Sequence, residues 1–193
     1  MKVQQLNDKE LILEYLEGND KAFEILLNRH KDKIYTSIYL FTKNSELAED
    51  IFQDVFIKII DTLRKGKYNH EGKFLQWAMR ISYNMCVDNF RRSKRRTKVS
   101  PTETFDIFDV LENKDDNMEV TLIKSQQHAK VRELVDKLPA EQREVVILRH
   151  YADMSFKEIS QLTRVSINTA LGRMRYALIN MRKMATESEL LLS

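Results

Sequence analysis

Glycine, proline and cysteine are scarce in this chain, whose 193 residues include 4 Gly, 2 Pro and one Cys. Sheet-rich and loop-rich folds need more turn residues than this, so the composition argues against them. The single cysteine excludes an internal disulfide framework and any multi-cysteine zinc site. Because Cys86 lies among apolar residues, we expect a buried structural thiol rather than a redox switch. Helix-forming residues dominate and long β-branched alternations are missing, so the predicted fold class is all-α.

Long apolar runs are missing as well, which bears on where the chain acts. No uncharged apolar run approaches the roughly twenty residues that cross a bilayer. Residues 1–20 are polar and acidic and lack the apolar core of a signal peptide. A hydrophobic content of 42% with 32% charged residues is typical of a soluble globular protein. We therefore expect a cytoplasmic protein without direct membrane insertion.

Charge is distributed unevenly along the chain, although the net charge is only +3. Residues 1–64 carry a net −3, and residues 65–98 carry +8, with ten Lys or Arg and two acids. Residues 99–121 carry −6, and residues 137–184 carry +5. Two basic zones therefore flank an acidic spacer, and this asymmetry is more informative than the total charge.

The acidic spacer predicts two domains: residues 1–98 and 122–188, joined by a linker over 99–121. We expect this linker to be disordered or loosely ordered. Its apolar cluster exceeds what a solvated linker needs, so docking on a domain or a partner stays open. The cluster consists of Phe105, Ile107, Phe108, Val110 and Leu111.

Apolar periodicity predicts about four helices in the first domain and three or four in the second. Ser45 is the expected N-cap of the third helix, and Pro139 is expected at a first helical position. The predicted segments are 8–18, 21–42, 45–66 and 72–92, then 122–138, 139–152, 155–163 and 166–184.

The segment 154–183 predicts a helix-turn-helix. Ser155 and Glu158 have the spacing of a capping box, a short turn follows, and Ser166 is the expected N-cap of the second helix. That helix has one predicted buried stripe, formed by Ile167, Leu171, Met174, Leu178 and Met181.

The opposite face of this second helix has the chemistry of a DNA-reading surface. Arg can bind guanine in the major groove, Asn and Thr can read base edges, and Gly permits close approach of the backbone. The alternative is an amphipathic hairpin with a solvated basic face. The predicted outward residues are Thr169, Gly172, Arg173 and Tyr176, flanked by Asn168 and Arg175.

Three motifs, in order, resemble the extracytoplasmic-function (ECF) type of sigma factor in the sigma-70 family of bacterial RNA polymerase. They are "AEDIFQDVFIKI" from Ala48, "GKFLQWAMRISYNMCVDNFRRSKRR" from Gly72, and the segment from "LPAEQREVVILRHYA" through the helix-turn-helix. The resemblance covers about residues 19–184. "TALGRMR" departs from the usual family form at Ala170 and Gly172, so a promoter sequence is not carried over.

The resemblance implies sites in the first domain for core RNA polymerase and for the minus-10 promoter element. On the first motif, Asp50, Gln53 and Asp54 are the expected contacts to the clamp helices of the polymerase. A base flipped from the non-template strand would be held by the loop before the second motif, where Tyr68 would stack and Asn69 would read an edge. The expected minus-10 contacts are Tyr68, Asn69, His70, Asn84, Asp88, Arg91 and Arg92.

The resemblance further implies that the helix-turn-helix binds the minus-35 element through the six outward residues named above. It also names the polymerase flap as a contact and an anti-sigma factor as a candidate partner. Trp77, on the second motif, is expected in the core rather than as a stacking platform.

Two other classes of function are weighed against a sigma factor. A stand-alone helix-turn-helix regulator would leave unassigned the first basic zone and an acidic patch on the first motif, formed by Glu49, Asp50, Gln53 and Asp54. An enzyme is disfavoured because the four histidines are scattered and no phosphate-binding glycine loop occurs. We predict no catalytic residue, metal, cofactor or small-molecule substrate.

Overall fold

The structure, a computed structural model, describes the backbone of residues 5–69, 72–96 and 126–190. The predicted linker, residues 122–125 and His70 lie outside the described residues. The described residues form eight helices and contain no strand, which confirms the all-α prediction. The chain divides into an N-terminal unit, Met1–Ser100, and a C-terminal unit, Pro101–Ser193.

The N-terminal unit contains four helices. Helix α2 packs against the other three, and α3 also packs against α4. Leu11, Leu26, Ile38, Ile59 and Ala78 are fully buried, one or two from each helix, so the four helices share one apolar core. The helices are α1 (Asp8–Leu16), α2 (Asp20–Thr42), α3 (Ser45–Arg64) and α4 (Phe74–Arg96).

Helix α1 contacts α2 through polar side-chain interactions that the sequence did not predict. The Asp8 carboxylate accepts hydrogen bonds from Arg29 at 2.6 Å and from the His30 ring at 2.7 Å. Burial alone would raise the pKa of Asp8, but the hydrogen bonds and charges of His30 and Arg29 outweigh it and lower the pKa. The ionised carboxylate is therefore part of the fold of this unit.

The C-terminal unit is organised around its last helix. Helix α8 packs against all three others, and its packing positions include the fully buried Ala170 and Ala177. Small side chains at these positions let α8 approach α6 and α7 closely. The helices are α5 (Gln126–Asp136), α6 (Ala140–His150), α7 (Phe156–Thr163) and α8 (Ile167–Leu190).

Two predicted helix starts are wrong by one residue. Asn44, not Ser45, is the N-cap of α3, because its side chain accepts the backbone N–H of Leu47 at 2.8 Å. Pro139 is the N-cap of α6 and Ala140 is the first helical residue. Helix α3 therefore starts one residue earlier than predicted, and α6 starts one residue later.

Candidate nucleic-acid and protein interfaces

Helix α3 separates a buried apolar face from an exposed acidic face. Ile51 and Ile59 are buried, while Asp50, Gln53 and Asp54 are exposed. These three polar residues lie three and four positions apart, so they form one patch on the helix surface. The structure thus brings together the three residues predicted to contact core polymerase.

The same face of α3 carries an exposed apolar side chain that sequence reasoning missed. Ile57 is 65% exposed and follows Gln53 and Asp54 by one helical turn. An isolated exposed apolar residue is ordinary on a protein surface, but here it extends an acidic patch. Ile57 follows Asp50 by seven positions, or two helical turns, and this spacing was the sequence signal that placed it on the same face.

Helix α4 presents a polar stripe along its solvent side. Asn84, Asp88 and Arg91 are exposed at three- and four-residue spacing, and Arg92 is exposed beside them. Arg91 pairs loosely with Asp88, at 3.8 Å between Nη1 and Oδ1. Arg80 is also exposed, one turn before Asn84, and was not predicted as a site residue. The helix therefore carries four of the predicted minus-10 residues on one side.

The opposite side of α4 is core. Cys86 is buried, and burial raises the pKa of its thiol to about 12. A thiol with this pKa stays protonated and is a poor nucleophile, in agreement with the predicted structural role.

Tyr68, in the loop before α4, is predicted to stack on a flipped base, but the structure places its ring elsewhere. Tyr68 is buried, and its ring centroid lies 4.5 Å from that of Trp77 and 6.3 Å from that of Phe74. Asn69 is exposed next to it. The Tyr68 ring therefore packs on α4 in this structure instead of forming an open stacking platform. Trp77 is half-buried, so it is neither fully in the core nor fully exposed.

The predicted helix-turn-helix is confirmed in its local geometry. The Ser155 hydroxyl accepts the backbone N–H of Glu158 at 3.3 Å, and the Glu158 carboxylate accepts the backbone N–H of Ser155 at 2.8 Å. The turn residue Arg164 adopts the left-handed conformation, with φ 59° and ψ 35°. Ser166 caps α8 by accepting the backbone N–H of Thr169 at 3.0 Å. Both helices therefore start where the sequence predicted.

The predicted buried stripe on α8 is wrong. Ile167, Leu171 and Leu178 are between 43% and 45% exposed, whereas Ala170 and Ala177 are fully buried. The helix is turned so that its small residues face the unit, which leaves three of the larger apolar residues on the surface.

An ion-pair cluster fixes this rotation. The Arg173 guanidinium binds Glu141 at 2.8 Å and Glu144 at 3.4 Å. The Arg173 side chain is 17% exposed and that of Glu144 only 7%. Two turns further along α8, Asn180 donates a hydrogen bond to Gln142 of α6 at 2.8 Å. Arg173 therefore joins α8 to α6, a role that the sequence did not predict.

The other predicted minus-35 residues lie on the surface of α8. Asn168, Thr169, Arg175 and Tyr176 are exposed, and Gly172 is half-buried with open space where a side chain would point. The structure thus keeps five of the six predicted residues accessible and turns Arg173 inward.

Two further properties concern the described residues only. No helix within 5–69, 72–96 and 126–190 is long and apolar enough to cross a membrane. In the same part of the chain, His, Cys, Asp and Glu side chains form no group of three or more that could hold a metal ion.

Models of known protein families match residues in both units. The family model described as sigma-70 region 2 matches residues 26–96, and the model for sigma-70 region 4 matches residues 128–175. Together these two regions of one family cover more than half of the chain. Their order along the chain is the order of the predicted motifs.

Individual relatives agree with the family match. The ECF RNA polymerase sigma factor SigW of Bacillus subtilis is 26% identical over 91% of this chain and 95% of its own length. The RNA polymerase sigma-H factor of Pseudomonas aeruginosa is 25% identical, over 88% and 89%.

A solved structure resembles the chain in fold. The sigma factor RpoE of Bartonella quintana, in complex with the anti-sigma factor NepR, superimposes with a TM-score of 0.63 at 16% identity. The match covers 86% of this chain and 98% of that one. The two matched regions and the sigma-factor relatives identify the chain as a member of the sigma-70 family, an ECF RNA polymerase sigma factor rather than an enzyme.

Proposed function

We propose that this sigma factor divides promoter recognition between its two units. The N-terminal unit binds core RNA polymerase through α3 and the minus-10 element through α4 and the loop before it. The C-terminal unit binds the minus-35 element through α8. The polymerase supplies the chemistry of RNA synthesis, and the sigma factor supplies the choice of promoter.

The observation that carries this proposal is the pair of exposed faces in the N-terminal unit. The acidic patch of Asp50, Gln53 and Asp54 has the charge to meet a basic protein surface. The stripe on α4 ends in Arg91 and Arg92, which have the charge and the donors to hold backbone phosphates. A stand-alone regulator would need only the helix-turn-helix and neither of these faces.

Capture of a flipped base is assigned to Asn69 in this proposal. Its exposed amide has both a donor and an acceptor for a base edge. Stacking by Tyr68 would require its ring to leave Trp77, so we assign Tyr68 to supporting the loop instead. The predicted contact of His70 remains part of the proposal, outside the described residues.

On α8, the proposed minus-35 contacts are Asn168, Thr169, Gly172, Arg175 and Tyr176. We leave Arg173 out, because its guanidinium is held by two carboxylates of α6. The polymerase flap and an anti-sigma factor are further proposed partners, and the cytoplasm is the proposed location. The anti-sigma proposal is supported by the fold shared with an anti-sigma-bound sigma factor.

Pull-down of core polymerase with the purified chain tests the polymerase contact. We expect the wild-type chain to bind and the Asp50→Lys/Asp54→Lys variant to lose binding, because the acidic patch becomes basic. Both positions are exposed, so the variant is expected to fold, which circular dichroism checks. Equal binding by variant and wild type would contradict the proposed surface.

A further inference from the structure

Two exposed apolar side chains border the surface of α8 that is proposed to face DNA. Leu171 is 44% exposed and Ile167 is 45% exposed, and they lie one helical turn apart in the first two turns of α8. These are the turns that a recognition helix inserts into the major groove. Burial of Ala170 and the ion pairs of Arg173 hold the two apolar side chains outward.

The surroundings of these two residues are polar and basic. Asn168 and Arg175 are exposed beside them. Residues 167–183 contain four Lys or Arg and no acid. This charge favours a polyanion over an apolar protein surface as the occupant of the face. Gly172 adds open space next to Leu171, so the backbone can come near a groove.

Leucine and isoleucine side chains have no hydrogen-bond donor or acceptor. They cannot read the polar edges of guanine, adenine or cytosine, which are distinguished by hydrogen bonding. Thymine alone presents an apolar group in the major groove, its 5-methyl. An apolar side chain inserted there is therefore complementary to thymine and leaves the polar edges of other bases unsatisfied.

We propose that Leu171, assisted by Ile167, is a specificity-determining residue that contacts thymine methyl groups in the minus-35 element. This inference rests on the proposed function of α8 and adds the kind of base that it selects. The element bound by this sigma factor accordingly contains thymine at one or two positions facing Leu171 and Ile167.

Replacement of thymine by deoxyuridine tests the proposal, because it removes only the methyl group. A promoter is first selected from a library by transcription with the reconstituted holoenzyme. Holoenzyme binding is then measured at fixed salt on duplexes with deoxyuridine at each thymine of the minus-35 element. We expect about fourfold weaker binding at one or two positions, the effect of leaving one methyl group unburied.

The Leu171→Ala variant should bind the thymine duplex about as weakly as wild type binds the deoxyuridine duplex. Its binding should no longer depend on the methyl group. Leu178→Ala is the matched control, because Leu178 is 43% exposed on the same side of α8, two turns later. It should keep the full deoxyuridine effect. Thermal unfolding verifies that both variants fold like wild type.

Four results would overturn the inference while leaving the proposed function intact. The first is a selected element with no thymine on either strand. The second is holoenzyme binding that deoxyuridine leaves unchanged, and the third is a Leu171→Ala variant whose binding keeps the full deoxyuridine effect. In the fourth, Leu171→Ala weakens binding to core polymerase and not to DNA, which would make the face a protein-docking surface. A holoenzyme that selects no promoter would instead refute the proposed function, and this inference with it.

Discussion

Replacement of Gly172 by Ala should stabilise the C-terminal unit and weaken its binding to DNA. Gly172 lies inside α8, and a methyl group built on it meets no atom within 4 Å. Alanine is favoured over glycine in a helix interior by about 1 kcal/mol. For a domain of this size, that gain corresponds to a rise of roughly 4–8 °C in the midpoint of thermal unfolding.

The loss of DNA binding has a steric origin. If Gly172 lets the backbone of α8 come close to the groove, an added methyl group must push the DNA and α8 apart. Overpacking of this kind costs roughly 1–3 kcal/mol, so we expect a loss of affinity for minus-35 DNA of roughly five- to 140-fold. Stability and affinity should thus change in opposite directions.

The assay combines thermal unfolding, followed by far-ultraviolet circular dichroism, with holoenzyme binding to the minus-35 duplex. Gly66→Ala is the control: Gly66 has φ +63°, where alanine is strained, so this variant should be less stable. A Gly172→Ala variant with unchanged or higher DNA affinity would refute close approach at this residue. A Gly172→Ala variant that is less stable than wild type would show that the space around Gly172 is not open.

Three further predictions follow from the described contacts. Arg173→Met should lower the free energy of unfolding by about 3 kcal/mol in urea titration, because it removes the guanidinium that pairs with Glu141 and with the buried Glu144 carboxylate; a loss below about 0.5 kcal/mol would contradict this. Asp8→Asn should cost about 1 kcal/mol at pH 7. The folded pKa of Asp8 lies below its ordinary 3.8, so its stabilisation is present above that value and disappears as the pH falls through the folded pKa; a difference between variant and wild type that persists in acid would disprove it. Arg91→Gln/Arg92→Gln should weaken promoter binding and reduce the slope of log affinity against log salt by roughly 1.5; an unchanged slope would show that both side chains are only solvated.

The helix boundaries that depend on local chemistry were predictable from the sequence. The capping box of Ser155 and Glu158 and the N-cap Ser166 involve residues at most three positions apart, and the structure has both. The pattern predicts Ser45 as the N-cap of α3, but Asn44 has the same capping chemistry one position earlier and is the observed cap. Local patterns therefore place these helix starts to within a residue, whereas the ends of α4 and α8, predicted at 92 and 184, lie at Arg96 and Leu190.

The rotation of α8 was not predictable from periodicity. Larger apolar residues suggested one stripe, but the structure buries Ala170 and Ala177 about a quarter turn away. That choice depends on close approach of α6 and on the pairing of Arg173 with Glu141 and Glu144, contacts 29 or more residues apart in sequence. Tertiary contacts of this kind decide which apolar face is core.

The acidic patch of α3 was predicted because charge and apolarity alternate there without ambiguity. The packing of the Tyr68 ring was not predicted, because an aromatic residue in a loop can equally stack on a ligand or pack on its own domain. Its contact with Trp77 depends on how the loop folds back onto α4. The sequence pattern thus identified the acidic face of α3, whereas the structure was needed to place the ring of Tyr68.

Transcription in vitro with core polymerase is the most direct test of the central claim. Core polymerase alone, core with the wild-type chain, and core with Asp50→Lys/Asp54→Lys are compared on a library of promoter fragments. We predict that only the wild-type chain yields transcripts with a shared minus-10 and minus-35 sequence. Promoter choice identical to that of core polymerase alone would contradict the account.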